Sequence, residues 1–355
     1  MNKTFFIRTF GCQMNVVDSD FMAGTLINSG YSPTIKPENA DIILVNTCTV
    51  RQHAEERAFS FIGELKQLKI KNAKLKIFVA GCVASRLKEK LKKKFPYIDK
   101  IIPASEIEKF PVIIKDIVDQ KRKKTKIQKL KGKGIEFVTI TKGCSNFCSY
   151  CVVPAVRGCE ISRPKKDILA DIKKLISHGR SEITLLGQNV NSYKSGKFDF
   201  SDLLIELNKI PQIKKIGFMT SHPKDMSDKI INAIALCKKV SRQIHLPVQS
   251  GSNKILKLMN RKYTGEKYLK IIKKLRKKIP DVAVTTDIIV GFPAETEKDF
   301  QQTLDIIKKA GFKSAFTFKY SPRENTKAFK MKDDVTAEIK KERLARLNTI
   351  FYNSV

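Results

Sequence analysis

The sequence has no tryptophan and only four histidines in 355 residues. It has no hydrophobic run near the ~18–20 residues of a membrane-spanning helix, which excludes a helical membrane protein. The amino-terminal segment Met1-Asn2-Lys3-Thr4-Phe5-Phe6-Ile7-Arg8 lacks the apolar core and cleavage site of a secretory signal, so a cytoplasmic protein is expected. Acidic residues are scarce: 35 Asp+Glu face 69 Lys+Arg, for a net charge of +34. That imbalance draws a polyanion, and nucleic acid is the natural partner. Arginine is scarce too, 14 of the 69 basic residues, in a chain rich in Ile and Asn. A genome biased toward A and T writes a soluble surface this way, so part of the charge reflects drift. The length suggests two or three domains, each with its own core.

What is present is a small set of placed cysteines. There are eight, and in a reducing compartment they favour metal binding over disulfides. Three of them, Cys144, Cys148 and Cys151, are spaced C-x3-C-x2-C on a loop that Gly143 opens after the strand-like run Ile135 to Ile140. Thiolates packed so closely suit a soft metal centre. Three ligands are one short of closing an iron–sulfur cubane, and the open position is then available to substrate or cofactor. A structural zinc site with Cys159 as fourth ligand is the alternative that spacing alone leaves open.

The first ~120 residues repeat one device. Thr4–Phe10, Asp41–Thr47 and Lys76–Ala80 read as strands that run into Cys12, Cys48 and Cys82, with helical patterns at Asp18–Asn28 and Ala54–Leu68. Apolar strands alternating with helices predict a parallel sheet with right-handed crossovers, whose strand carboxyl ends share one edge. The three cysteines should converge there as ligands of a second cluster, again with one iron open.

Residues 120–134 are mostly lysine and are expected to be an interdomain connector, with RNA phosphate contact as the alternative. From Glu136 onward, strand patterns at 182–186, 215–219, 243–246, 282–286 and 314–318 alternate with helical ones. Six βα units predict an α/β fold of partial TIM type, its active site at the strand carboxyl ends. The polar stretches fall there: Gly187-Gln188-Asn189, Ser221-His222-Pro223, Pro247 to Ser252, Asp287, and Tyr320 to Arg323. Neither His222 nor His245 is assigned to a metal. Cys237 reads as a packing residue and Ala337–Tyr352 as a basic amphipathic helix.

The C-x3-C-x2-C motif with Tyr150 before its last cysteine resembles the signature of radical S-adenosylmethionine (SAM) enzymes. The continuation Val152-Val153-Pro154-Ala155-Val156-Arg157-Gly158, with Ser162-Arg163, is similar to one branch of them, the methylthiotransferases. That branch usually carries Tyr where Ala155 stands, and Cys159 is outside its pattern. Gly11-Cys12-Gln13-Met14-Asn15, Asn46-Thr47-Cys48-Thr49-Val50-Arg51 and Gly81-Cys82 resemble its amino-terminal domain, and Gly291-Phe292-Pro293-Ala294-Glu295-Thr296 resembles the segment that contacts the adenine of SAM in radical SAM enzymes.

The resemblance implies a methylthiotransferase amino-terminal domain over 1–119, the linker 120–134 and a radical SAM core over 135–355. It implies two 4Fe-4S clusters, one on Cys144, Cys148 and Cys151 and one on Cys12, Cys48 and Cys82. It also implies SAM contacts from Tyr150, Gln188, Asn189, Gln249 and Ser250. Two SAM molecules would serve the reaction, one cleaved to a 5′-deoxyadenosyl radical and one giving a methyl group. The implied substrate is isopentenylated adenosine in a tRNA anticodon stem-loop, methylthiolated at C2. The branch acting on threonylcarbamoyladenosine is the nearest alternative, and a zinc-stabilised, non-enzymatic RNA-binding protein is the alternative of another class. An electron donor such as flavodoxin or ferredoxin is implied, and a monomer is expected. Family members usually continue into a β-barrel RNA-binding domain, TRAM. The sequence stops at Val355 without it, so weak, salt-sensitive tRNA binding is expected.

Overall fold

The computed structural model describes residues 3–50, 52–115 and 136–352; the predicted connector 120–134 and Arg51 lie outside them. The chain divides into two compact units, Met1–Lys133 with Val152–Gly158, and Gly134–Cys151 with Cys159–Val355. Among the described residues no helix is long and apolar enough to cross a membrane.

The first unit is built on a parallel sheet of β1 (Thr4–Thr9), β2 (Ile42–Thr47), β3 (Lys76–Gly81) and β4 (Lys100–Pro103), with the edge pair Ser32–Pro33 beside β1. Every residue of β2 is buried, as expected of a central parallel strand covered on both faces. The alternation of side chains sorts its residues between two cores. Ile43 and Val45 pack with Ile77, Val79, Ile62 and Leu65 on one face. Ile42 and Leu44 pack with Phe78, Ala80, Met22, Leu26 and Phe110 on the other. The covering helices are α1 (Gln13–Asn28) and α2 (Gln52–Lys71), and both begin earlier than their apolar periodicity predicts. Two short helices, α3 (Cys82–Leu87) and α4 (Val153–Arg157), complete the cysteine-bearing edge. The strand β4 is only four residues long, too short to stand out in the hydrophobic pattern.

The second unit holds the six predicted strands: β5 (Glu136–Thr139), β6 (Glu182–Leu186), β7 (Lys215–Phe218), β8 (Gln243–His245), β9 (Ala283–Val290) and β10 (Ser314–Lys319). They form two parallel three-stranded sheets, β5-β6-β7 and β8-β9-β10. One bridge, Ile216 to Val240, joins the halves before β8 begins. The halves are therefore stitched at their amino-terminal side and, among the described residues, carry no ladder bonds between β7 and β8 farther along. Ile183, Leu185, Ile216, Ile244, Val284 and Ile288 share one core with the covering helices. Side-chain caps start those helices sharply, as at Asp199, Ser227, Ser252, Thr264 and Thr296. β9 runs four residues past its predicted end, so Asp287 lies within the strand.

The helix Ala337–Tyr352 closes this unit. Leu347 enters the core and Arg343 is buried, its Nη1 donating to Glu295 Oε1 at 2.9 Å. Glu295 Oε1 also accepts from the Gly291 amide at 2.8 Å, so this pair fixes the turn after β9. Cys237 caps a helix end and is buried among apolar side chains, as its pattern predicts.

Candidate functional site

In the second unit the loop after β5 turns through two left-handed residues, Gly143 at φ 71° and Phe147 at φ 48°. Distant segments hold its backbone. The Ser149 amide donates to Met259 O at 3.0 Å, and the Ala328 amide donates to Ser149 O at 2.7 Å. Asn260 Nδ2 donates to Phe147 O at 2.9 Å and to Asn146 O at 3.3 Å. Cys144 and Cys148 are buried and Cys151 is half-buried; Cys159 is exposed. Burial pushes the Cys144 thiol up, and a neighbouring Cys148 thiolate would push it further. Such thiols ionise readily only where a metal or a cation stabilises the thiolate.

Beside Cys148 stands a cation, Arg261, a residue absent from the sequence-based set. Only 4% of its surface is exposed. Nη1 donates to Cys148 Sγ at 3.3 Å and to Tyr150 Oη at 3.4 Å; Nε donates to Tyr263 Oη at 2.8 Å and Nη2 to Pro247 O at 2.9 Å. Both phenols are held protonated by burial, Tyr263 at about 12. Among the described residues no carboxylate pairs with this guanidinium. A buried cation without an anion is costly, by several kcal/mol. A thiolate-bound, negatively charged iron–sulfur group at Cys148 would supply the missing charge, so the residues present fit that group.

Around the same face, buried polar atoms lack hydrogen-bond partners: Ser149 Oγ, Gln188 Oε1, Asn189 Oδ1, Ser221 Oγ, His222 Nε2 and Gln249 Oε1. Native interiors satisfy nearly all such atoms, so a cluster of exceptions marks where a polar ligand belongs. Gln188 and Asn189 follow β6, Ser221 and His222 follow β7, and Gln249 follows β8. Asn189 is aimed by its Nδ2 donating to Asp225 Oδ2 at 2.7 Å. Gln249 sits at φ 71°, a left-handed conformation rare for its type, pinned by its amide donating to Asp287 O and its carbonyl accepting from Ile289. Ser250 is fully buried with its hydroxyl engaged by Thr303 Oγ1 at 3.3 Å and the Ser252 amide at 3.2 Å. His222 Nδ1 accepts from the Lys224 amide at 3.2 Å, so the neutral ring carries its proton on Nε2. Burial, then Arg261 and Lys224, drives its pKa down to about 2, keeping it a neutral donor. His245 instead faces Asp287 across 3.4 Å in a half-exposed pair.

In the first unit, Cys12 caps α1 after β1, Cys48 directly follows β2, and Cys82 opens α3 after β3. Cys48 and Cys82 are buried; Cys12 is exposed. Cys12 and Cys48 both lie near enough to Cys82 to repel it as thiolates. Two glycines permit the approach. Gly11, at φ 139°, would place a Cβ 2.6 Å from Cys48 Cβ, and Gly81, at φ 95°, would place one 2.4 Å from Asn46 Oδ1 and Thr47 O. Burial pushes the Cys82 thiol up to about 11 against the opposing pull of Arg157. Arg157, on α4, lies against Cys82 and donates to Asp18 Oδ2 at 2.8 Å. Each three-cysteine group thus has an arginine beside a sulfur, Arg261 buried and Arg157 half-buried.

Among the described residues, which include all eight cysteines, there is no disulfide. Nor do three His, Cys, Asp or Glu side chains there stand as ready ligands of one ion. A cubane makes no such demand, because its thiolates bind separate irons. Sequence reasoning missed Arg261 and the role of Arg157. The available signal was the scarcity of arginine: in a chain that writes Lys almost everywhere, a retained Arg marks a place where the planar fork matters.

Comparison with known proteins agrees with this geometry. Residues 4–103 match the profile of "Uncharacterized protein family UPF0004", and residues 138–307 match that of the "Radical SAM superfamily". The tRNA-2-methylthio-N(6)-dimethylallyladenosine synthase of Clostridium botulinum strain Hall is 49% identical over 360 residues, covering 97% of this chain and 80% of the relative. The protein of that name from Carboxydothermus hydrogenoformans is 45% identical, covering 97% and 82%. Among solved structures, the radical S-adenosylmethionine methyltransferase TsrM from Kitasatospora setae aligns over 89% of this chain and 73% of its own, with TM-score 0.65 at 12% identity, a likeness of fold.

Proposed function

The chain belongs to the radical SAM methylthiotransferase family, and on that footing we propose that it methylthiolates C2 of an N6-isopentenylated adenosine beside the tRNA anticodon. The observation that carries the reading is the set of unpartnered polar atoms at three strand ends on the face that bears the cysteine loop. Cys144, Cys148 and Cys151 hold one 4Fe-4S cluster, and Cys12, Cys48 and Cys82 hold another. When bound, these groups supply an electron to SAM and the sulfur for insertion.

The remaining work falls to this chain's own residues. Gln188, Asn189 and Gln249 offer carbonyl oxygens to the donors of SAM, and His222 offers Nε2–H to an acceptor. Tyr150, whose hydroxyl accepts from Arg261, anchors the cluster loop on the apolar group of Ile255, Met259, Phe292 and Tyr320. Ser250 shapes the Gln249 turn through Thr303. Burial of these atoms excludes water from the reacting centre. The basic surface draws the tRNA backbone, and an anticodon-loop base is splayed out at modest cost because it is already single-stranded. A small electron donor such as flavodoxin or ferredoxin reduces the enzyme, which acts as a cytoplasmic monomer.

The test has two parts. Anaerobically reconstituted protein should hold about eight iron atoms and cleave SAM; Cys144→Ala, Cys148→Ala or Cys151→Ala should abolish cleavage, while Cys159→Ala keeps it. Nucleoside mass spectrometry on tRNA from a deletion strain should show isopentenyladenosine without its methylthio form. Loss of methylthio-threonylcarbamoyladenosine instead would reassign the substrate. A colourless protein with stoichiometric zinc would replace the reading with a zinc-stabilised RNA-binding protein.

A further inference from the structure

Resting on the cluster assignment just proposed, we infer that Arg261 is a positioning residue that sets how readily the cluster on Cys144, Cys148 and Cys151 accepts its electron. The guanidinium is stapled in place. Tyr263, which accepts from Nε, itself donates to Val248 O at 2.8 Å, and Pro247 O holds Nη2. The fork therefore cannot swing away from Cys148 Sγ, 3.3 Å from Nη1. Its other hydrogen-bond partners are neutral phenols and a carbonyl, and His222 nearby is neutral, so among the described residues around it the sulfur, with what the sulfur binds, is where negative charge resides.

An N–H donor and an uncompensated positive charge at a cluster sulfur favour the reduced, more negative state over the oxidised one. Removing them makes reduction harder. Arg157 supplies an internal contrast. It too lies against a cysteine sulfur, that of Cys82, but Asp18 stands 2.8 Å from it and answers much of its charge. Arg157 should therefore bias its site less than Arg261 does.

The experiment uses the full chain with Cys12, Cys48 and Cys82 replaced by Ala, so that one cluster remains. Its reduction is titrated by electron paramagnetic resonance in Arg261→Gln and Arg261→Lys variants. Arg261→Gln should be about tenfold harder to reduce, about 59 mV more negative for one electron. Arg261→Lys, which keeps the charge and loses the fork, should fall between. Arg157→Gln, in a chain lacking Cys144, Cys148 and Cys151, should shift its cluster by less. An unchanged potential in Arg261→Gln with its cluster intact overturns the inference. If Arg261→Gln holds no iron, Arg261→Lys decides alone, an unshifted potential again overturning it. Loss of iron from both variants overturns it in favour of a purely structural role. If the parent chain binds no cluster at these cysteines, the underlying assignment fails instead.

Discussion

Asn15 and Asn46 hold each other across the ends of β1 and β2. Asn15 Nδ2 donates to Asn46 Oδ1 at 3.0 Å, and Asn46 Nδ2 returns a bond to Asn15 O at 2.8 Å. Both side chains are fully buried. Asn15 Nδ2 also reaches Thr47 O, Asn46 Nδ2 also reaches Ser19 Oγ, and Cys12 Sγ donates to Asn15 Oδ1 at 3.3 Å. The amides thus bind one cysteine turn to the next.

Asn46→Ala removes three buried hydrogen bonds, leaving Asn15 Nδ2 with Thr47 O and Ser19 Oγ with Thr9 Oγ1, and each bond is worth ~0.5–1.5 kcal/mol. The first unit should lose about 2–4 kcal/mol in denaturant unfolding. It should also take up less iron, while the Cys144 site of the same chain fills normally. Equal iron at both sites would show that the amide lattice is not what aligns the thiols.

The glycines in the same turns are graded by space. Gly81→Ala and Gly11→Ala add both a left-handed strain and a collision with a neighbouring strand end. Gly158→Ala, at φ 81° with no neighbour within 4 Å, adds strain alone. Thermal melts should rank Gly81→Ala well below Gly158→Ala, the latter costing ~1–3 kcal/mol.

His222 carries an acid limit. Its pKa lies near 2 in the fold against the usual 6.5, so the unfolded chain takes up the proton first as pH falls. The stability from keeping it neutral is fully present above about 6.5 and is lost as pH drops toward 2. Over the middle of that window the group contributes a slope of about 1.4 kcal/mol per pH unit. Urea unfolding of His222→Gln from pH 7 to 4 should be shallower than the parent by that slope; parallel curves would remove His222 as the cause.

Glu295 and Arg343 give a paired comparison. Glu295→Ala leaves a buried guanidinium without its main partner and should cost ~3–5 kcal/mol. The double variant with Arg343→Met should recover much of that loss, because both charges go together. A double variant no better than the single would mean the Gly291 amide bond, not the ion pair, holds the turn.

The sequence shows some of these things better than others. Strand periodicity and cysteine spacing exposed both cysteine edges, because parallel strands force their carboxyl ends together wherever they lie in the chain. The positions of Gln188, Asn189 and Gln249 at that edge were legible because polar residues in the turns after apolar strands lie at the strand carboxyl ends. Ser250 looked the same in sequence, yet its hydroxyl turns inward to Thr303, a partner 53 residues away. Arg261 was invisible for the same reason: it follows a short helix, 113 residues from the sulfur it faces. Asp287 was placed beyond a strand that in fact continues to Val290, since Ile288, Ile289 and Val290 carry the apolar pattern past it.

The single bridge between Ile216 and Val240 makes the second unit a lever with its fulcrum at one end. Twisting the two half-sheets about that stitch breaks no ladder bonds between β7 and β8, and the displacement grows with distance from it. Ser221 and His222 lie on one jaw and Gln249 on the other, both beyond the fulcrum. Among the described residues, side-chain packing such as His222 against Tyr263, and not backbone ladder bonds, spans the gap between them, so the bonds a ligand makes on each side add directly to what holds the jaws together.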